Sequence, residues 1–183
     1  FNNNTYTYET NKKKKTVSFS VTDTDVIYNG KSMQGSKYIP DNGYIRLTDN
    51  NSDGKYDVLE IKDYRNVIAD TVNTTDGIIA DKRTKENNIY LKQNGEDISV
   101  NAVNVNGKTQ KIAKIYQDSV VSAAISEDGK YAELIVNTAK ITGEITTVNS
   151  TKKEIFINGK AYKCTADFEN FADAEPGKQV QVY

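Results

Sequence analysis

Asp49-Asn50-Asn51-Ser52-Asp53-Gly54-Lys55-Tyr56-Asp57-Val58-Leu59-Glu60 is the stretch whose residue types and spacing amount to chemistry. Calcium takes about six to eight oxygen ligands, and acidic or amide side chains at alternate positions of a tight loop supply them. The segment fits the EF-hand loop pattern at every specified position. Asp49, Asn51, Asp53 and Asp57 are candidate side-chain ligands, Lys55 would give its carbonyl, and Gly54 allows the chain to reverse. The flanks are not helical: Tyr44 to Thr48 enters as a strand, and Tyr56 to Lys62 leaves with apolar and β-branched residues. A strand-loop-strand is therefore expected, and Glu60 serves as the twelfth-position ligand only if the exit curls back like a helix. The calcium ion would be structural, since no base, nucleophile or pocket accompanies it in sequence. The competing reading is a polar hairpin tip that holds itself together through side chain to backbone hydrogen bonds.

Other groups offer less. The chain has no histidine, the usual acid-base residue near neutral pH and a principal zinc ligand. Its one cysteine, Cys164, lies in a strand-like run and reads as a core thiol without a disulfide partner. Asp23, Asp25, Asp63 and Asp81 could pair as catalytic carboxylates, but no spacing singles two of them out. No enzyme is expected. Tyr6 and Tyr8 share a strand face, and strand packing is favoured over stacking on a sugar. With 24 basic against 25 acidic residues and a formal charge of -1, nucleic acid is not an expected partner. The run Lys12 to Lys15 reads as a solvated turn, with docking on an anionic wall polymer as the alternative. No apolar stretch approaches the roughly 20 residues of a membrane helix, so no membrane insertion is expected.

The elements that must position these residues are strands. Of the 11 glycines, Gly30, Gly43, Gly54, Gly77, Gly95, Gly107, Gly129 and Gly159 follow Asn or Asp, the pairs that favour tight hairpin turns. Between them, Val17 to Val21, Tyr44 to Thr48 and Gly143 to Val148 alternate with period two. Val120 to Ile125 and Tyr131 to Val136 flank one hairpin turn; Ile155 to Ile157 and Ala161 to Cys164 flank another. Short helices are expected at Lys108 to Gln117 and Asp167 to Ala174. The fold class is all-β: tandem small SH3-like or OB-like barrels or sandwiches with one or two short helices. Three parts are expected: an N-terminal β segment at 1–42, a first β module at 43–140 carrying the polar loop, and a second, truncated module at 141–183.

The two modules share an internal repeat. Val67 to Asn73 matches Gly143 to Asn149, Gly77 to Ala80 matches Glu154 to Ile157, and Ile89 to Lys92 matches Ala161 to Cys164. Ser119 to Ala124 then corresponds to Lys178 to Tyr183. The second copy lacks its closing strand, leaving an edge to be covered by an N-terminal strand, a neighbouring chain or residues outside this sequence. The opening Phe1-Asn2-Asn3-Asn4 reads as a processed chain or an excised fragment.

Val26 to Lys31, Asp41 to Asp49 running into Asp53 to Val58, Asp118 to Ser122 with Asp128-Gly129-Lys130, and Gly143 to Thr146 before Ile157 to Tyr162 together carry a resemblance. The chain resembles the β-rich region of large Gram-positive, clostridial-type cell-surface proteins that carry S-layer homology domains. The resemblance implies a secreted, extracellular, cell-wall-associated structural or display module, with the remainder of a larger surface protein as its partner. Cell-wall polymer or glycan is the further partner it suggests. Phage tail or fibre proteins are a second source of such modules, and a glycan- or ligand-binding role is the alternative function.

Overall fold

The computed structural model describes residues 4–20, 22–33, 39–164 and 174–183. The strands are β1 (Thr5–Thr10), β2 (Lys13–Ser18), β3 (Asp25–Tyr28), β4 (Lys31–Ser32), β5 (Gly43–Thr48), β6 (Val58–Asp63), β7 (Arg65–Asn73), β8 (Ile78–Asp81), β9 (Ile89–Tyr90) and β10 (Lys92–Gln93). They continue as β11 (Glu96–Asp97), β12 (Ser99–Val105), β13 (Lys108–Thr109), β14 (Val120–Ile125), β15 (Tyr131–Asn137), β16 (Ile141–Asn149), β17 (Glu154–Ile157), β18 (Lys160–Lys163) and β19 (Gln179–Val182). The protein is all-β. Two compact units form: Phe1–Arg65, Leu91–Ala102 and Ala123–Leu134 in the first, Asn66–Tyr90, Val103–Ser122 and Ile135–Tyr183 in the second. The expected boundary at 42/43 thus falls within the first unit, and segment 141–183 shares the second with earlier strands.

In the first unit, β1 and β2 form a hairpin whose turn, Asn11-Lys12, takes φ of 50° and 61°. Only Lys12 of the lysine run sits in the turn. Lys13, Lys14 and Lys15 are exposed on β2, opposite Thr10, Glu9 and Tyr8. This register places β2 at Lys13–Ser18, so Phe19 and Ser20 of the expected strand Val17 to Val21 lie past its end, because β1 ends its pairing at Thr5 opposite Ser18; Val21 lies outside the described residues. Phe19 then turns inward and stacks on Tyr6, ring centroids 5.6 Å apart. Val26, Leu59 and Ile61 complete that core, with Ile45, Leu47 and Tyr56 packed against it. Its sheet runs β4-β3-β6-β5, with β3 parallel to the central β6 and β5 antiparallel to it. Leu59 and Ile61 point into the core at alternate positions, as the two-residue period of a strand requires.

Two further sheets run in the orders β13-β12-β15-β14-β7-β8-β9 and β18-β17-β16-β19. The order β14-β7-β8-β9 in one is the order β19-β16-β17-β18 in the other. Hydrogen bonding repeats as well. Ala69 faces Asp81, the pairing shifts by a bulge, and Thr71 faces Ala80; Ile145 faces Ile157, shifts, and Thr147 faces Phe156. Asp118 N–H donates to Ala69 O and Ala69 N–H to Ser119 O; Gly177 N–H donates to Ile145 O and Ile145 N–H to Lys178 O.

This geometry moves two of the sequence-based matches by one residue. Ile78, not Gly77, is the counterpart of Glu154, and Ile89 that of Tyr162. A one-residue slip would exchange the buried and exposed faces, so the buried Ile79 and Ile155 fix the register.

Gly77 then corresponds to Lys153, and both are left-handed, with φ of 66° and 52°. A side chain in that region costs about 1–2 kcal/mol, and glycine's extra unfolded-state freedom offsets part of the relief. Lys153→Gly is therefore expected to stabilise the protein by about 0.5–1 kcal/mol, and Gly77→Ala to destabilise it by about 1 kcal/mol. Urea unfolding of both variants checks this; a Lys153→Gly protein less stable than its parent would show that the lysine side chain itself matters.

Two expectations change. Lys108 to Gln117 is not a helix: Lys108 and Thr109 pair with β12, and only Ile112–Lys114 makes a single 3-10 turn. The chain leaves β13 extended, and Lys111 stays extended with φ of -90° and ψ of 156°. The expected helix at Asp167 to Ala174 lies, apart from Ala174, outside the described residues. Among the described residues the sheets are open, each with two edge strands, so the expected barrels are not closed.

Candidate functional site

The polar loop joins β5 to β6, antiparallel strands whose last pair, Thr48 and Val58, closes its base. Asp57 N–H donates to Thr48 O at 2.9 Å, and Asp25 N–H to Asp57 O at 2.8 Å, which ties the exit of the loop to β3. The hydroxyl of the buried Thr24 donates to Tyr56 O at 2.6 Å. The loop is therefore rooted in the core sheet at its exit while its tip is exposed.

Within it, carboxylates fold the backbone. Asp49 accepts from Ser52 N–H at 2.7 Å through one oxygen and from Gly54 N–H at 2.9 Å through the other. Asn51 Oδ1 accepts from Asp53 N–H at 2.9 Å, and Asp53 Oδ1 accepts from Lys55 N–H at 2.8 Å. Asp57 Oδ2 accepts from Asn50 N–H at 2.6 Å. These are the side chain to backbone bonds that Asp and Asn make in tight turns. Ser52, at φ 62°, and Gly54, at φ 86°, take the left-handed conformations that reverse the chain.

Asp49, Asn51, Asp53, Lys55 and Asp57 thus share one loop, and their oxygens are of the hard type that calcium prefers. Among the described residues no three acidic or thiol side chains converge into a metal-holding group. An ionised carboxylate has about four lone-pair sites, so a backbone amide on an oxygen does not exhaust it.

Glu60 stands apart. It lies inside β6, directly opposite Arg46 on β5, with its Oε2 2.5 Å from Arg46 Nη2. The exit of the loop is a strand rather than a helix, so Glu60 sits in a cross-strand ion pair instead of curling toward the loop.

Beside the loop runs a groove of about 540 Å³ lined by Phe19, Asp23, Asp53, Lys55, Tyr56 and Asp57. Asp23 there accepts from the Ser20 hydroxyl at 2.9 Å. The other carboxylates weighed from sequence have structural duties. Asp63 accepts from the Tyr28 hydroxyl at 2.8 Å and from Asp41 N–H at 3.0 Å; Asp81 accepts from Ile68 N–H at 2.9 Å and pairs with Arg83. Asp25 opens β3 and is exposed. Tyr6 is buried in the core, whereas Tyr8, two residues on, is 49% exposed. Cys164 is partly buried, and that burial raises its thiol above the ordinary value, which disfavours the reactive thiolate.

Sequence reasoning missed a second polar cluster in the first unit. Lys62, 5% exposed, places Nζ 2.7 Å from Glu133 Oε2, and the Tyr64 hydroxyl stands 3.5 Å from the other oxygen. Nothing in the alternation of Leu59-Glu60-Ile61-Lys62 marks this lysine as buried; it shares a strand face with Glu60, and its partner Glu133 on β15 is distant in sequence. Burial, reinforced by the charge of Glu133, pushes the Tyr64 phenol up to about 12. The folded state then holds its proton above pH 10, where an unfolded tyrosine loses it, so this contribution to stability is lost as pH rises from about 10 to 12. In an ultraviolet titration of tyrosinate, Tyr64→Phe is expected to remove an ionisation near pH 12 and to flatten the fall in stability over that interval.

No protein-family model, no curated protein and no solved structure matches this chain.

Proposed function

We propose that the chain is a structural and display module of a secreted bacterial cell-surface protein, stiffened by calcium at the Asp49 to Asp57 loop. The observation that carries this reading is the construction of that loop. Three carboxylates and an amide oxygen are spaced along one hairpin loop whose base is bonded into a buried sheet. A cation there would exchange some backbone amide bonds for metal–oxygen bonds and rigidify a tip that now depends on Asx-type turns. Asp49, Asn51, Asp53, the Lys55 carbonyl and Asp57 are the groups that would hold it; Glu60 is left to Arg46. The resemblance to surface proteins carrying S-layer homology domains supplies the setting, extracellular and wall-associated, within a larger protein.

Calorimetric titration with calcium, paired with thermal melts with and without chelator, tests the proposal. Binding is expected to raise the melting temperature, by about 2.7 kcal/mol of stability at a hundredfold excess over Kd, and to disappear in Asp49→Ala and Asp53→Ala. Absence of both heat and shift would reduce the loop to a self-bonded hairpin tip.

One observation favours a second reading, a binding module for an anionic wall polymer or glycan. The β1–β2 hairpin carries exposed Lys13, Lys14 and Lys15 together with the exposed Tyr8, which lies opposite Lys15. Retention on immobilised teichoic-type polymer that falls when the three lysines are replaced by glutamine would support this; no retention at low salt would remove it.

A further inference from the structure

The duplicated sheets differ at one place. In the first copy β14 lies between β7 and β15, hydrogen-bonded on both sides; in the second, among the described residues, its counterpart β19 is bonded only to β16. We infer that the outer edge of β19 is a strand-acceptor site, taking an antiparallel segment of β15's chemistry: extended, free of proline, and apolar at alternate positions.

The hydrogen-bond alternation shows which groups face outward. Ile145 N–H donates to Lys178 O, and the register continues as Gly143 with Val180 and Ile141 with Val182. In an antiparallel ladder these pairs bond to each other, so the N–H and C=O groups of the intervening Gln179, Gln181 and Tyr183 point away from β16. Packing at the strand is incomplete in the same way. Val121 of β14 is fully buried, whereas its counterpart Val180, and Val182 beyond it, remain partly exposed. In β15 the apolar residues Ala132, Leu134 and Val136 are buried at alternate positions.

The edge is held ready. Glu175-Pro176-Gly177-Lys178 forms the turn into β19, with Lys178 N–H donating to Glu175 O and Gly177 at φ 91°; Ser119 N–H to Tyr116 O and Asp118 at φ 65° repeat it before β14. At the far end, the Tyr183 ring lies 5.7 Å from Lys82 Nζ and 5.7 Å from Lys140 Nζ, and both ammonium groups are anchored on Asp118 at 2.6 Å. An incoming strand would meet backbone groups that are already aligned, which lowers the ordering cost of strand addition.

The test appends a copy of residues 125–137 to the full chain after Tyr183, reproducing the β14–β15 hairpin on β19. Amide exchange at Gln181 and Tyr183 is expected to slow on the order of 100-fold and the melting temperature to rise by about 5 °C. Gln181→Pro removes an outward N–H without touching the β16 ladder. It should leave the unextended protein's melting temperature nearly unchanged and abolish both gains in the extended one. No protection, or equal protection from an extension whose apolar residues are moved to consecutive positions, would overturn the inference. So would a concentration-dependent dimer of the 183-residue chain that Gln181→Pro dissociates, which would assign the edge to a second copy instead.

Discussion

Gly43→Ala is expected to lower stability by about 3 kcal/mol, at the upper end of overpacking substitutions. Gly43 opens β5 opposite Asp63, and a Cβ built on it would lie 1.8 Å from the carbonyl oxygen of Lys62 and 2.8 Å from its carbonyl carbon. That carbonyl cannot retreat. Its strand is bonded to β3 on the other side, Asp63 N–H donates to Asn29 Oδ1 at 2.9 Å, and the Lys62 side chain is held by Glu133. Relief must come from β5, an edge strand, by giving up Tyr64 N–H to Asn42 O at 2.7 Å and Asp41 N–H to Asp63 Oδ1 at 3.0 Å. Because β5 leads directly into the polar loop, the displacement would also alter the base of the candidate calcium site. A fall of about 6–12 °C in melting temperature is expected. Gly95→Ala is the control: its φ is 85° and nothing lies within 4 Å, so only the left-handed strain of about 1 kcal/mol applies. Equal losses in the two variants would show that close approach at Gly43 is not what selects glycine there.

That glycine also marks where sequence reasoning stopped. Asn42-Gly43 reads as a turn pair, like Asn29-Gly30, Asn94-Gly95, Asn106-Gly107 and Asn158-Gly159, in which both residues have positive φ. Gly43 instead belongs to a strand, and the reason lies across the sheet in Lys62, which no local pattern encodes. Alternation and turn residues were enough for β5, β14, β15, β16 and β17, because those signals are local. The parallel pairing of β3 with β6 was not legible, since it joins segments that no hairpin connects. The lysine run misled for a related reason: Lys13 to Lys15 have poor strand propensity, and their strand exists because β1 pairs with it. At the polar loop, residue types and order were legible, and so was the fate of its flanks as strands. The direction of each carboxylate was not, because Asp49, Asp53 and Asp57 each choose between backbone amides and an outside ligand.

Glu133→Gln is expected to cost about 3 kcal/mol, more than Lys62→Met at the other end of the same ion pair. Lys62 is the more deeply placed partner, its side chain 6% exposed against 24% for Glu133. Neutralising Glu133 leaves an ammonium group enclosed by the sheet with only a neutral amide to receive it, and the desolvation of that charge is no longer offset. Methionine at position 62 takes the charge away together with its desolvation penalty and keeps much of the apolar stem in place. Glu133, being nearer solvent, can then hydrate. The double variant Lys62→Met with Glu133→Gln should therefore be more stable than Glu133→Gln alone, giving a coupling of opposite sign to simple addition of two losses. Chemical denaturation of the four proteins at pH 7 reads this directly. If Lys62→Met proves the costlier single change, the ammonium is better hydrated than its burial implies, and the pair acts as a surface contact between β6 and β15 rather than as an enclosed charge.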